Sequence, residues 1–150
     1  MSASEQRFWD TVDRIRDADG RYRREAYGFV VGALGATVQT LPPERLADTA
    51  RRHLSGGELL RGIVRVARTE FGAMAPTVFR EWGVTAGEDV GNIVFHLVEQ
   101  GELSARPEDT LDDFRGFDLV GALGANLEVG RVRATAPARG PSGRDAGGPG

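Results

Sequence analysis

Apolar residues recur along this chain at intervals of three and four, the spacing of amphipathic helices, and the strict alternation of strands is almost absent. The first predicted helix, residues 4–18, carries Phe8, Val12 and Ile15 on one side. The second, residues 21–40, ends before two consecutive prolines, which cannot continue a helix. A short third helix is predicted after those prolines. The pattern therefore indicates an all-α fold.

Two capping-box sequences predict where later helices begin. In SGGE, residues 55–58, a hydroxyl and a carboxylate three positions apart can each accept a hydrogen bond from a free backbone amide. The helix that follows is expected to end at Phe71, before a glycine. TAGE, residues 85–88, has the same spacing and predicts a helix that ends near Gln100, again before a glycine.

A short helix between these two is predicted from Pro76 to a glycine at position 83. With the helix that follows, it forms a helix-turn-helix-like pair. After that pair, an acidic loop leads to a last helix that holds Phe117, Val120 and Leu123. We therefore expect a compact single-domain bundle of five to seven helices.

The domain is predicted to span residues 1–127. Residues 128–150 are mostly Gly, Pro, Ala, Arg and Ser without apolar periodicity, which is typical of a disordered tail. The most apolar stretch, residues 26–41, is too short to cross a bilayer, which needs about 20 apolar residues. No membrane association is therefore expected. The absence of cysteine excludes disulfides, and no secretory signal opens the chain, so a cytoplasmic location is expected.

The second helix has the widest predicted apolar face and an adjoining row of glycines. The face comprises Tyr27, Val30, Val31, Leu34, Val38 and Leu41. Gly28, Gly32 and Gly35 share the neighbouring stripe. Because each glycine costs about 1 kcal/mol relative to alanine inside a helix, two interpretations are open. Either a neighbouring backbone packs closely there, or the stripe reflects a composition rich in glycine.

Charge is distributed unevenly around the net value of −3. Residues 81–130 hold 11 acidic residues and 2 arginines, a net charge of −9. The helix predicted after residue 85 buries Val90, Ile93, Val94 and Leu97 and turns a polar arc outward. That arc comprises Glu88, Asp89, Asn92, His96 and Glu99. A DNA-reading helix needs cationic side chains near phosphate, so this acidic helix predicts an interaction face for a basic protein partner instead.

Six arginines in the other half support an alternative. They are Arg21, Arg23 and Arg24, interleaved with tyrosines, and Arg61, Arg65 and Arg68, at helical spacing. Such a set can contact the phosphates of nucleic acid or of a ribosome, or it can be a solvated face. Glu70 falls on the apolar side of the same helix, where it should either sit at a frayed end or pair with an arginine.

No residue pattern indicates catalysis, a cofactor or a metal. The two histidines, His53 and His96, lack a second histidine at ligand spacing, and neither a nucleophile elbow nor a phosphate-binding glycine loop is present. The sequence therefore predicts a non-enzymatic, cytoplasmic interaction module. An unrecognised active site would need a concave pocket lined by convergent polar groups.

Several segments resemble successive blocks of a small family of uncharacterised bacterial proteins. They are RYRREAYGFVVGAL (21–34), RHLSGGELLRGI (52–63), FGAMAPTVFREWGV (71–84), DVGNIVFHLVEQGELS (89–104) and DTLDDF (109–114). The resemblance covers about residues 8–118. Because that family has no assigned activity, the resemblance implies a compact folded unit and transfers no catalytic residue. Family members carry larger side chains where this chain has Gly28, Gly32 and Gly35.

Overall fold

The computed structural model describes residues 2–105 and 109–124, and helices are the only regular secondary structure within those ranges. They are α1 (Ala3–Ala18), α2 (Arg24–Val38), α3 (Pro43–Leu46), α4 (Gly56–Phe71), α5 (Ala75–Trp82) and α6 (Gly87–Glu99), with 3-10 turns at Gly72–Met74 and Leu111–Phe114. Residues 119–124 are also helical. The predicted all-α fold, including the successive α5 and α6, is confirmed. The predicted domain limit at 127 and the tail at 128–150 lie outside the described residues.

Local capping sets the start of α4, whereas a tertiary contact sets the start of α2. Ser55 Oγ accepts the amide N–H of Glu58 at 3.1 Å, and Glu58 Oε1 accepts the amide N–H of Ser55 at 2.9 Å, as predicted. Helix α2 begins at Arg24 rather than Arg21. The reason is that the amide of Arg23 donates to the carbonyl of Trp82, at 3.1 Å, and so holds the chain extended there.

The capping box predicted for α6 is wrong by one residue. The N-cap is Ala86 rather than Thr85, and the carboxylate that caps is that of Asp89 rather than Glu88. Asp89 Oδ2 accepts the amide N–H of both Thr85 and Ala86 at 3.0 Å. Glu88 is left exposed to solvent.

Two further corrections concern the chain after α6. The 3-10 turn Leu111–Phe114 interrupts the segment predicted to be an acidic loop. The last helix begins at residue 119, so Phe117 precedes it rather than belonging to it. Leu119 and Leu123 of that helix are fully buried.

The core is organised around α2 and α4, and α2 also contacts α1, α5 and α6. The largest side chains that are almost completely buried come from several elements and include Tyr22, Tyr27, Leu60, Ile63, Phe79, Ile93 and Leu97. Burying one such apolar side chain contributes roughly 1.5–3 kcal/mol before entropy is counted. The prediction that the second helix is central is therefore confirmed.

The face that α2 turns to the core is narrower than predicted and has smaller side chains. Its buried residues are Ala26, Tyr27, Val30, Ala33 and Thr37, whereas Val31, Leu34, Val38 and Leu41 are only half-buried. Small side chains let α4 approach closely. At the point of contact, Gly62 of α4 faces Thr37, and a Cβ on Gly62 would overlap the threonine side chain.

The glycine stripe of α2 is not the surface on which another helix packs. A Cβ on Gly28 would lie 2.7 Å from Cη2 of the Trp9 ring, so this glycine accommodates an aromatic side chain of α1. Around Gly32 and Gly35, no described residue lies within 4 Å of such a Cβ. Gly28 therefore makes a close contact, but with a side chain rather than with the neighbouring backbone that the packing interpretation expected. Glu70, expected on the apolar side of α4, is exposed in the last turn of that helix.

We predict that Gly62→Ala lowers the free energy of unfolding by about 1–3 kcal/mol, because its methyl group overfills the contact with Thr37. Urea denaturation at equilibrium measures the change. Gly32→Ala is the control, since it adds the same methyl group to an open helical position and should raise stability by up to about 1 kcal/mol. Stabilisation by both substitutions would contradict the close approach of α2 and α4.

Candidate functional site

A cavity of about 320 Å³ opens between α2, α4 and α6. Its volume lies within the range of roughly 300–1,000 Å³ that is usual for small-ligand sites. The apolar part of the wall comprises Leu34, Val38, Leu54, Leu59, Val94, Phe95, Leu103 and Phe114. The polar part comprises Thr49, Arg52, His53, Ser55, Ser104, Asp109 and Asp113. One concavity thus combines a mainly aliphatic surface with hydrogen-bonding and charged groups.

Three glycines allow the 3-10 turn Leu111–Phe114 to close one side of this cavity. A Cβ on Gly56 of α4 would lie 2.9 Å from the Cβ of Asp113. A Cβ on Gly91 of α6 would lie 2.8 Å from Cδ2 of the Phe114 ring, and one on Gly87 would overlap the Phe114 carbonyl. Because glycine has no side chain at these three positions, the turn lies directly against both helices. Phe114 is almost fully buried as a result.

A hydrogen bond between His53 and Asp109 joins two distant segments at the polar side of the cavity. His53 Nε2 lies 2.8 Å from Asp109 Oδ2, and the side chains are only 24% and 17% exposed. His53 precedes α4 and Asp109 precedes the 3-10 turn, 56 residues later. In the sequence, His53 stands apart from any second histidine at metal-ligand spacing, and nothing near it indicates a partner. No local pattern could have revealed this pair.

Arg45 of α3 holds the segment that carries His53. Its Nη2 donates to Glu58 Oε1 at 2.8 Å and to the His53 carbonyl at 3.2 Å, while its Nε donates to the Arg51 carbonyl at 2.6 Å. The hydrogen bonds from Arg45 hold the pKa of Glu58 at about 2, below its usual 4.5. The same carboxylate caps α4 through the amide of Ser55. One ion pair therefore fixes the position of residues 51–55 against the start of α4.

The polar arc predicted to face solvent on α6 is divided by the structure. Glu88 and Glu99 are exposed, but Asp89, Asn92 and His96 are half-buried against residues from the start of α2. The expectation of one solvated acidic face is therefore wrong for those three. On the opposite side, Val90, Ile93 and Leu97 are fully buried as predicted, whereas Val94 is half-buried in the cavity wall.

Two buried tyrosines explain why the polar arc turns inward. Tyr22 donates its hydroxyl to Asp89 Oδ1 at 2.7 Å and accepts a hydrogen bond from Asn92 Nδ2 at 2.9 Å. The Tyr27 hydroxyl lies 2.9 Å from His96 Nδ1. Burial raises the pKa of both tyrosines to about 12. A hydroxyl removed from water needs a partner, and α6 supplies one to each tyrosine.

The turn between α1 and α2 adds a second layer to this network. Asp19 Oδ2 lies 3.5 Å from His96 Nε2 and 2.7 Å from Arg21 Nη2. The hydrogen bonds from Arg21 lower the pKa of Asp19 to about 2. A recess of about 250 Å³ adjoins these groups. Within residues 2–105 and 109–124, no group of three or more His, Asp or Glu side chains could hold a metal ion.

The arginines predicted to contact phosphate fall into two groups. Near the start of α2, Arg21 pairs with Asp19, and Arg24 pairs with Asp13 at 3.2 Å and lies over the Trp9 ring. Arg23 lies 3.9 Å from a carboxylate of α5. The second group, on α4, forms no ion pair in the described part of the chain: Arg61 and Arg65 are exposed, and Arg68 is half-buried. The first group is therefore largely neutralised by the protein itself.

Comparison with family models, with curated proteins and with solved structures gives no match. The resemblance to a bacterial family therefore stays a prediction. None of the described helices is both long and apolar enough to cross a bilayer.

We predict that the stability contributed by Glu58 is lost in acid. Because its pKa in the folded protein, about 2, is below its ordinary value of 4.5, the contribution is complete above about pH 4.5 and declines as pH falls toward 2. Glu58→Gln should therefore lower the free energy of unfolding at pH 6 by up to about 2 kcal/mol, with partial exposure screening the pair. At pH 2 the variant and the wild type should converge.

Urea denaturation between pH 2 and pH 6 measures this difference. Glu44→Gln on α3 controls for the loss of one exposed negative charge nearby. A gap between wild type and Glu58→Gln that stays constant down to pH 2 would show that Arg45 does not depress the pKa of Glu58.

Proposed function

We propose that this protein is a non-catalytic cytoplasmic binding module, and that its ligand is a small amphipathic molecule held in the cavity between α2, α4 and α6. The observation that carries the proposal is the composition of the cavity wall. Eight apolar side chains from three helices and the loops around them meet a cluster of charged and hydroxyl groups in one concavity. Apolar walls with a few convergent polar groups are typical of ligand sites.

The packing around the cavity also favours binding. Val94 and Phe95 belong to the inward side of α6 but stay half-buried, because no side chain of residues 2–105 or 109–124 fills the space beside them. A ligand with an apolar body would remove that surface from water, which contributes about 0.8 kcal/mol for each buried methylene group. The Arg45–Glu58 pair and the His53–Asp109 bond hold the polar side in place before a ligand arrives.

The polar groups favour binding over catalysis. His53 and Asp109 resemble the base and orienting acid of a hydrolytic site, but no hydrogen bond joins His53 to a hydroxyl in the described ranges. The nearest sequence candidate, Ser55, uses its Oγ to accept the amide N–H of Glu58 at the start of α4. The pair is better suited to positioning a ligand than to activating a nucleophile.

We predict that wild-type protein binds neutral alkanols with an affinity that rises about fourfold per added methylene until the cavity is full. Titrations with 1-butanol, 1-hexanol and 1-octanol, followed by amide chemical shifts, measure this series. Val94→Trp should fill the cavity and weaken 1-octanol binding at least about tenfold, since the indole occupies the space that the chain would use.

Val31→Trp is the matched control. Val31 is also half-buried, but it lies on α2 outside the cavity wall. The Val31→Trp variant should bind 1-octanol as the wild type does, and circular dichroism should show that both variants are folded. Equal binding by the two variants, or shift changes confined to residues away from the cavity, would refute the proposed site.

The acidic-surface hypothesis stays as a second proposal, with a changed set of residues. Glu88, Glu99 and Glu102 are exposed, as are Asp112 and Asp118 farther along. Their concentration in the half of the chain with a net charge of −9 supports an attraction to a basic protein. Asp89, Asn92 and His96 are not part of this surface, because they bond the buried tyrosines.

We predict that replacing Glu88, Glu99 and Glu102 together by glutamine reduces recovery of basic proteins in low-salt affinity purification from the native cell. Asp89 is left intact because it caps α6. A control variant neutralises Asp17, Glu25 and Glu44, three exposed acids on other helices. Equal recovery with both variants would count against the acidic surface.

Nucleic-acid or ribosome binding has less support. Of the six arginines expected to contact phosphate, Arg21 and Arg24 already pair with carboxylates of this chain. The exposed Arg61 and Arg65 of α4 are the members that best fit the hypothesis, which stays a prediction.

A further inference from the structure

We infer that the ligand of the cavity is a monocarboxylate with an apolar body, and that Arg52 binds its carboxylate. This inference rests on the proposed function, since it assigns a chemical class to the ligand of the same cavity. It depends on the contacts made by the charged groups that line the cavity among the described residues: Arg52, His53, Asp109 and Asp113.

The two carboxylates of the wall already have partners. Asp109 is bonded to His53 at 2.8 Å. Asp113 Oδ2 accepts the amide N–H of Thr110 at 3.1 Å, which caps the 3-10 turn. A cationic ligand group would have to compete with these contacts. Neither acid is therefore well placed to recognise an ammonium group.

Arg52 differs from these two carboxylates in its contacts. It lines the cavity and is exposed, and it forms no ion pair with any described residue. Its neighbour His53 is held by Asp109 through the side chain and by Arg45 through the carbonyl, so the segment that carries Arg52 is fixed. The backbone at Arg52 is anchored, and its guanidinium has no ion-pair partner among the described residues. Beside an apolar wall, such a group suits an amphiphile whose polar end is anionic.

The charge of the surroundings favours a carboxylate over a phosphate. Asp109 and Asp113 lie in the same wall, and each would repel a dianionic phosphate about twice as strongly as a monocarboxylate at the same distance. A guanidinium can bind either group through two parallel hydrogen bonds, so the preference for a carboxylate comes from the charge of the wall. The cavity volume of about 320 Å³ suits a single short chain or ring rather than a long acyl chain.

Titration calorimetry at pH 7 with octanoate, 1-octanol and octylammonium tests the inference, because the three probes share a chain and differ in the head group. Octanoate should bind about tenfold more tightly than octylammonium, with 1-octanol between them. Arg52→Gln should weaken octanoate binding about tenfold and leave 1-octanol unchanged. Added salt should weaken octanoate binding to the wild type but not to Arg52→Gln.

Arg51→Gln is the matched control, since Arg51 is also exposed but its side chain does not line the cavity. It should leave all three affinities unchanged. Binding of all three probes without a preference for octanoate, or an equal loss of octanoate affinity in both variants, would overturn the inference while the proposed cavity stands. Failure of all three probes to bind would overturn the proposed function itself, and the inference with it.

Discussion

The cavity depends on one packing constraint: the 3-10 turn Leu111–Phe114 has to lie directly against α4 and α6. Three helical glycines, Gly56, Gly87 and Gly91, meet this constraint, because a methyl group at any of them would collide with the turn. Gly91, which lies inside α6, weakens that helix by about 1 kcal/mol relative to alanine, and contact with Phe114 offsets that loss. The position of the 3-10 turn also brings Asp109 next to His53. The packing that buries the Phe114 ring therefore also assembles the polar side of the cavity.

A second constraint, the hydrogen-bonding demand of buried tyrosines, determines which polar residues of α6 stay exposed to solvent. Tyr22 and Tyr27 are almost completely buried, and hydrogen bonds to their hydroxyls hold Asp89, Asn92 and His96 half-buried. A helix whose sequence divides cleanly into apolar and polar arcs can thus bury part of both. The acidic character of this half of the chain survives at Glu88 and Glu99, at the two ends of α6.

Sequence patterns predicted the features that local interactions determine. The helix of SGGE begins and ends as expected, because the capping carboxylate and hydroxyl are three residues apart and a glycine follows the last turn. Sequence patterns did not predict contacts between residues that are distant along the chain. Tyr22 and Asp89 are 67 residues apart, Tyr27 and His96 are 69 apart, and His53 and Asp109 are 56 apart. The glycine stripe of α2 misled for the same reason, since a helical wheel shows which residues share a face but not what covers it.

An acidic protein and an anionic ligand are compatible because the two carboxylates of the cavity wall, Asp109 and Asp113, already have hydrogen-bond partners, and the exposed carboxylates elsewhere act only at longer range. One exposed carboxylate about 10 Å from the ligand opposes binding by only about 0.4 kcal/mol in water, and physiological salt reduces that further. Six buried methylene groups contribute about 5 kcal/mol in the opposite direction, and the contact with Arg52 acts at close range, where screening is weaker. A polyanion such as nucleic acid meets many carboxylates at once, and their repulsion adds up along its backbone. On the proposed function, the net charge of −9 on residues 81–130 would disfavour phosphate polymers near the cavity and still allow a small apolar carboxylate to enter.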